Sequence, residues 1–434
     1  LGYQPGMFLI EGCEAINAMQ NPLPTEEDIE QTLGVKVIDD YIVEFKLTED
    51  SAVFPSILAM PMLHPVPADL VDVEGDAWTD PDKIWTSGPY TLQPTIPAAE
   101  GYTLIANPHW PIERAGNIDI VLIGFDSTGQ AYRAWQNGSL ELATVPPDQL
   151  VNTPFRTDPS YRMLALPGAS FIVFSYESYP VDDPLVRRAL SLSIDREAFV
   201  YETLAATGEA GLPAASLVPP GTVLAPPFDE TETGYDPDAA RAALEEAGYP
   251  GCYGFPRSYF YTDDTFPNAL EIANTYIAMW EKELGCTGRF IVRRKPLREL
   301  YDLLQTPQTM IIDNEETQRP IMITLAWEAD YPDTQHWLAD ILGCQELFPD
   351  AYLDQMRTCD TFDRQLARAP GEFDDEARAE IYASILDSLF GDTGEMPVIP
   401  LYYYARPLAI GDGLDITSAQ AGPLQFDRWV LESE

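Results

Sequence analysis

Histidine, lysine and cysteine are scarce in this chain. Its 434 residues include three histidines (His64, His109 and His336), five lysines among 25 cations, and five cysteines. With three imidazoles a Ser-His-Asp triad could arise only by coincidence. No two cysteines stand in a C-x-x-C pair, so a Cys/His zinc site is not expected. There is no Gly-x-x-x-x-Gly-Lys-Ser/Thr phosphate loop, no His-Glu-x-x-His and no Gly-x-Ser-x-Gly. Carboxylates are so abundant that none can be singled out as an acid–base pair. No apolar run reaches 18 residues; the best, residues 53–71, is broken by four prolines, Ser56, His64 and Asp69. The chain opens Leu1-Gly2-Tyr3, without Met or a basic leader, so a signal peptide is either processed away or lost with a fragment's missing start.

What is plentiful is acid. Seventy Asp and Glu against 25 Lys and Arg leave a formal net charge of −45. Such a chain repels phosphate backbones and anionic lipid, which argues against nucleic-acid or peripheral membrane binding. The charge is spread, with no acidic tail. Adaptation to high salt and plain solubility at low pI both fit it. Apolar residues make up 45%, enough for sizeable cores, and the length suggests about three folding units.

Periodicity then places elements. Residues 35–47 alternate on both sides of Asp39-Asp40, which predicts a hairpin with one buried face. Residues 88–106 read as a strand pair and 118–122 as another strand. A short helix is expected over Thr128–Gln136. Pro184, behind Asp182 or Asp183, should open a helix running to about Leu204, and Asp236-Pro237 a second, closed by Gly248. Leu270, Ala273, Ile277, Trp280 and Leu284 step by three and four, with Gly285 at the end. Asp374 should cap a helix ending at Gly391, and Val398–Ile410 reads as a strand. Arg187 and Arg188 look like structural ion-pair residues, His109 like a turn residue, His336 like part of a helix start and His64 like part of a proline loop. Strands and helices mix without regular βαβ alternation, so the chain reads as α/β or α+β with more than one lobe.

Four cysteines fall into two local pairs, Cys252 with Cys286 and Cys344 with Cys359. Two loop-closing disulfides in an exported protein would suit that layout, although four cysteines allow three pairings and buried thiols in a cytosolic protein are the alternative. Cys13 is left over.

Eight segments together carry a resemblance: Gly34–Phe45; Thr86-Ser87-Gly88-Pro89-Tyr90 with Asn107-Pro108-His109-Trp110; Ala134–Ala143; Asp183–Leu190 running into Ile194-Asp195-Arg196; Val218-Pro219-Pro220-Gly221-Thr222; Tyr235–Ala240 to Ala247-Gly248-Tyr249; Trp327-Glu328-Ala329-Asp330-Tyr331-Pro332-Asp333; and Val398-Ile399-Pro400-Leu401-Tyr402-Tyr403. In this order they resemble the large extracytoplasmic solute-binding proteins of ABC importers, the oligopeptide/dipeptide-binding family (solute-binding protein family 5). The resemblance implies a two-lobed, periplasmic-binding-protein-like α/β fold (type II, cluster C) with an accessory subdomain, and a chain lacking its N-terminal portion. It divides the chain into residues 1–86 (rest of the accessory subdomain), 87–180 with 401–434 (lobe 1) and 181–400 (lobe 2), with hinge strands near 180 and 400.

The implied function is capture of oligopeptides between the lobes and delivery to a membrane permease, by an extracytoplasmic monomer without cofactor, metal or enzymatic activity. Attachment through a lipid on the missing portion would fit. Oligosaccharides or another small solute are the alternative ligands, kept open by Trp85, Trp110, Trp135 and Trp327; nickel sites often need the histidine that is scarce here. A secreted hydrolase using an Asp/Glu pair is the alternative of a different class. In peptide-binding members the Asp of the Ala-Asp-Tyr motif, here Asp330, pairs with the ligand's ammonium. Trp327, Glu328 and Ala329 would offer backbone groups to an extended ligand. Ala326 stands where the family often has Gly, and Glu328 where smaller residues are common; both departures leave the ligand type open, and Glu328 would suit a cationic ligand. Alternation separates Tyr403 from Tyr402 and Tyr404, so these two are candidates to line the cleft, with core packing as the other reading. The resemblance also supports the bond between Cys344 and Cys359, whose 14 intervening residues make it worth about 3 kcal/mol by loop entropy.

Overall fold

The computed structural model describes residues 4–432 except 20–21, 95–100, 113–115, 117, 177, 229–233, 305–309, 313–314, 318–321, 345, 349–350, 352, 354–358 and 417–424. The chain forms two compact units. The first comprises residues 1–63, 167–196 and 214–402; the second comprises 64–166, 197–213 and 403–434.

In the first unit, Phe290–Lys295 and Ser258–Asp263 pair in parallel over six residues. Met322–Glu328 lies parallel to the latter and antiparallel to the end of the Tyr161–Phe174 strand. The helix Ala269–Leu284 packs its aromatic stripe on this sheet. Trp280 is fully buried, its ring 5.6 Å from Phe260 and 4.6 Å from Phe290. Its indole N–H donates to the Leu190 carbonyl at 3.0 Å. The stripe is wider than the sequence spacing suggested. Ala269, Ile272 and Tyr276 are buried too, while Leu270 is exposed, because a helix laid across a sheet covers more than a narrow seam. Disulfides join Cys252 to Cys286 and Cys344 to Cys359.

In the second unit, Tyr90–Pro94, Gly101–Ala106 and Ile120–Ile123 form an antiparallel meander. Gly101 has φ of 146°, and a Cβ there would meet the Leu122 carbonyl oxygen at 1.9 Å, so the meander needs glycine at that crossing. Leu164, Leu408, Ile410, Ile416 and Trp429 build one core; Tyr132, Val145, Leu150, Ala205 and Ala409 build another.

The predicted helix starts hold. Asp183 accepts from the Leu185 N–H at 2.9 Å ahead of Pro184. Asp236 accepts from Asp238 and Ala239 ahead of Pro237, and Asp374 from Ala377. Three expectations are corrected. The helix from Pro184 stops at Leu192 and is followed by Arg196–Ala198 and the wider-turned Phe199–Leu204. At the break the buried Arg196 guanidinium donates to the Ser191 and Ile194 carbonyls and Ser193 Oγ donates to that of Leu190, so side chains serve the carbonyls at the helix end. The hairpin Val35–Asp39/Ile42–Phe45 forms, with Asp39 Oδ1 holding the Tyr41 N–H, but it has no buried face. Only its base, Val35 and Phe45, packs on a core, and Val37 and Tyr41 are 74% and 96% exposed. Finally, Arg187 clamps main chain rather than carboxylates. It donates to the carbonyls of Val181, Asp182, Glu395 and Met396 and lies 4.3 Å over the Tyr176 ring. Arg188 likewise reaches the Asp392 carbonyl.

Candidate functional site

The strand Met322–Glu328 is apolar and buried at its start and opens towards its end, where Ala326 and Glu328 are exposed and Trp327 half-buried. Its antiparallel register with residues 168–174 runs the whole length, from Met322 opposite Phe174 to Glu328 opposite Gly168. The parallel register on the other side covers only Met322 and Ile323. Beyond that point the strand runs beside a cavity of about 230 Å³ within the first unit, lined among others by Ser170, Thr262, Asp263, Thr324, Ala326 and Tyr402. Phe266 and Ile272 supply apolar wall. The hydroxyls are oriented by the sheet: Thr324 donates to the Tyr261 carbonyl at 3.3 Å and Ser170 to that of Leu325 at 3.4 Å. Asp263 Oδ1 is held by the N–H and hydroxyl of Thr265.

The segment after the strand folds back on a buried polar cluster. The Ala329 N–H donates to the Pro167 carbonyl at 2.7 Å. His336 is fully buried, and its Nε2 accepts from the Trp327 indole N–H at 3.0 Å and, more weakly, from the Asp330 backbone N–H at 3.5 Å. Its Nδ1 lies 3.1 Å from Asp340 Oδ2. Burial, together with the Asp340 carboxylate, raises the Tyr331 hydroxyl well above its ordinary range. Asp333 is wholly enclosed. Its Oδ1 accepts from the Gln335 N–H at 2.9 Å, and its Oδ2 lies 3.4 Å from Ser56 Oγ and 3.9 Å from Arg378 Nη1. Burial raises its pKa against those lowering contacts.

The expected residues therefore separate. Trp327, Glu328, Ala329 and Asp330 form one continuous stretch of the first unit, with Asp330 half-buried. Tyr402 is 3% exposed and lines the cavity beside Ala326. Tyr404 is half-buried and falls in the second unit. Tyr403 is as buried as Tyr402, because this strand is covered on both faces and alternation leaves no trace in exposure. Sequence reasoning missed Thr262 and Asp263, which reach the cavity from one strand, and Ser170, which reaches it from another. It also missed His336 as an acceptor at the site, although the i,i+4 spacing to Asp340 was there to read. His109 sits in a turn made by the Asn107 side chain. Among the described residues, the one cluster with metal-ligand spacing is Cys344, Cys359 and Asp363, and its two sulfurs are spent on each other.

Chemically, the arrangement offers an extended backbone edge, a mixed polar–apolar cavity beside it, and the carboxylates of Asp263, Glu328 and Asp330 nearby in sequence or space.

Known proteins give this geometry a setting. The chain is 26% identical over 314 residues to the probable deoxycholate-binding periplasmic protein YgiS of Escherichia coli, covering 71% of this chain and 55% of that one. It is 24% identical over 381 residues to the periplasmic oligopeptide-binding protein OppA of Salmonella typhimurium, covering 86% and 65%. It thus spans less than two thirds of the length of these relatives. The solved structure of MppA, a periplasmic murein tripeptide binding protein in its unliganded open form, is similar with a TM-score of 0.74 at 19% identity, over 99% of this chain and 77% of that one. That likeness establishes the periplasmic-binding-protein-like α/β fold. The model of the bacterial extracellular solute-binding proteins, family 5 (middle), matches residues 14–348, and the chain belongs to that family.

Proposed function

We propose that this protein captures oligopeptides outside the cytoplasm, as a monomer, for an ABC importer permease, and releases them unchanged. One observation carries the reading: the parallel ladder beside Met322–Glu328 ends at Ile323 while the strand continues along a cavity towards Asp330. A peptide offers an ammonium, a row of amides and a carboxylate. A strand edge can pair with the amides whatever the side chains, and a carboxylate at its end can take the ammonium. A charge-assisted bond of this kind is worth roughly 1.5–3 kcal/mol. Asp330 is our candidate for that role, Trp327, Glu328 and Ala329 for the backbone contacts, and Tyr402 and Tyr404 for the ligand-facing tyrosines. The oligopeptide- and murein-tripeptide-binding relatives support the ligand class; the relative named as a probable deoxycholate-binding protein makes other solutes the comparison to run.

Thermal shift across tri- to pentapeptides, N-acetylated peptides, oligosaccharides and deoxycholate tests this, since stabilisation follows RT ln(1 + [L]/Kd). Free-amine peptides should raise Tm, acetylated ones little, and Asp330→Ala should weaken peptide binding at least tenfold (about 1.4 kcal/mol). Equal binding of free and acetylated peptides removes the ammonium role, and stabilisation by the other solutes alone removes the peptide reading. Turnover of any of them would make the protein an enzyme.

A further inference from the structure

We propose that His336 is the positioning residue of the Trp327–Asp330 segment, acting through an unprotonated Nε2; the consequence for ligand affinity rests on the peptide reading above, the chemistry of the imidazole does not. The two ring nitrogens face partners of opposite kind. Nε2 faces two donors, the Trp327 indole N–H at 3.0 Å and the Asp330 backbone N–H at 3.5 Å. Nδ1 faces a carboxylate oxygen of Asp340 at 3.1 Å. An indole N–H can only donate and a carboxylate only accept. The ring is therefore neutral, with its proton on Nδ1 and a bare lone pair on Nε2. Asp340 selects this tautomer, the arrangement by which a carboxylate orients an imidazole.

Its setting explains why the ring can impose a position. His336 is fully buried, and the Tyr331 and Trp337 rings stand against it at 5.1 and 5.9 Å, edge to face. The acceptor thus projects from a packed helical turn, residues 336–341, to the point where the strand ends. It ties a side chain of the strand, Trp327, to the main chain of Asp330, two residues past the strand's end. One acceptor so fixes both the last strand residues and the backbone from which the Asp330 carboxylate is presented.

The test has two arms. In the first, the protein is labelled with ¹⁵N-histidine and the ring nitrogens are read by NMR. With three histidines in the chain, the signals of His336 are assigned as those lost in His336→Gln. We expect Nδ1 protonated and Nε2 bare at neutral pH, and a Trp327 indole N–H signal, assigned with Trp327→Phe, that shifts in His336→Asn. An Nε2-protonated ring, an imidazolium, or an indole signal indifferent to His336→Asn overturns the proposal. In the second arm, His336→Gln places an amide oxygen near Nε2 and keeps an acceptor, whereas His336→Asn keeps a group facing Asp340 and loses the acceptor. Peptide affinity should fall about tenfold in the Asn variant, the equivalent of one buried hydrogen bond, and within about threefold in the Gln variant. Equal losses in both, or none in the Asn variant, overturn the positioning role. If the wild-type chain binds no peptide, the peptide reading fails, and the tautomer and the indole signal still decide the role of His336.

Discussion

Asp330 and Asp333 stand three residues apart and meet opposite conditions. Asp330 is half-buried at the end of a strand; Asp333 is enclosed, with Ser56, Gln335 and Arg378 around it. The consequence for Asp333 is a pH dependence of unusual sign. Burial lifts its pKa above the ordinary 3.8, so the folded protein keeps this proton to a higher pH than the unfolded chain does. Its contribution to stability is fully present below 3.8 and is lost as pH rises through the raised value. The stability difference between wild type and Asp333→Asn, measured by urea denaturation from pH 3.5 upwards, should therefore fall with rising pH. A difference that grows over that range would show the Arg378 contact outweighing burial. The sequence made Asp330 legible only through its motif, Ala-Asp-Tyr; nothing distinguished Asp333 from the other acids. Burial is a property of what folds over a residue, and for Asp333 that includes Ser56, 277 positions away.

Elements were read best where their ends carry local chemistry. Asp183, Asp236 and Asp374 each bond the N–H groups of the turn they open, and that requires only neighbours in sequence. Replacing Asp236 with Ala removes the acceptor for Asp238 and Ala239 and should cost about 1 kcal/mol in chemical denaturation; a loss below about 0.3 kcal/mol would mean that water serves these N–H groups equally well. Where an element's fate depends on distant partners, local reading failed. Residues 184–204 have continuous helical character, yet the helix ends at Leu192, where Arg196 donates to the carbonyls at 191 and 194 and, at 2.7 Å, to that of the distant Pro400. The 35–45 hairpin shows the converse. Its alternation is sound and its register forms, but among the described residues no element covers its apolar side.

At the scale of the molecule, a net charge of −45 sets a repulsive background that the cores and crosslinks must outweigh. Both disulfides lie in the first unit. The Cys344–Cys359 bond closes a loop with a sequence separation of 15, and opening it with a double Cys→Ser replacement should lower stability by about 3 kcal/mol on the loop-entropy account. Denaturation of the variant and the parent under non-reducing conditions measures it. No change would mean that the unfolded loop is already restricted. Asp363, buried and accepting from the Cys344 N–H at 3.1 Å, anchors the same turn and should limit the native-state rearrangement.

By itself the sequence determined the mixed α/β character, the helix starts, the long strand Val398–Ile410 and the family, because each rests on neighbours in the chain or on motifs kept in order. Only the tertiary structure decided which acids are enclosed, which tyrosine borders the cavity, and which nitrogen of His336 accepts. Those properties are set by partners brought from far along the chain, and a hydrogen bond or a buried charge has no energy to speak of until both partners are in place.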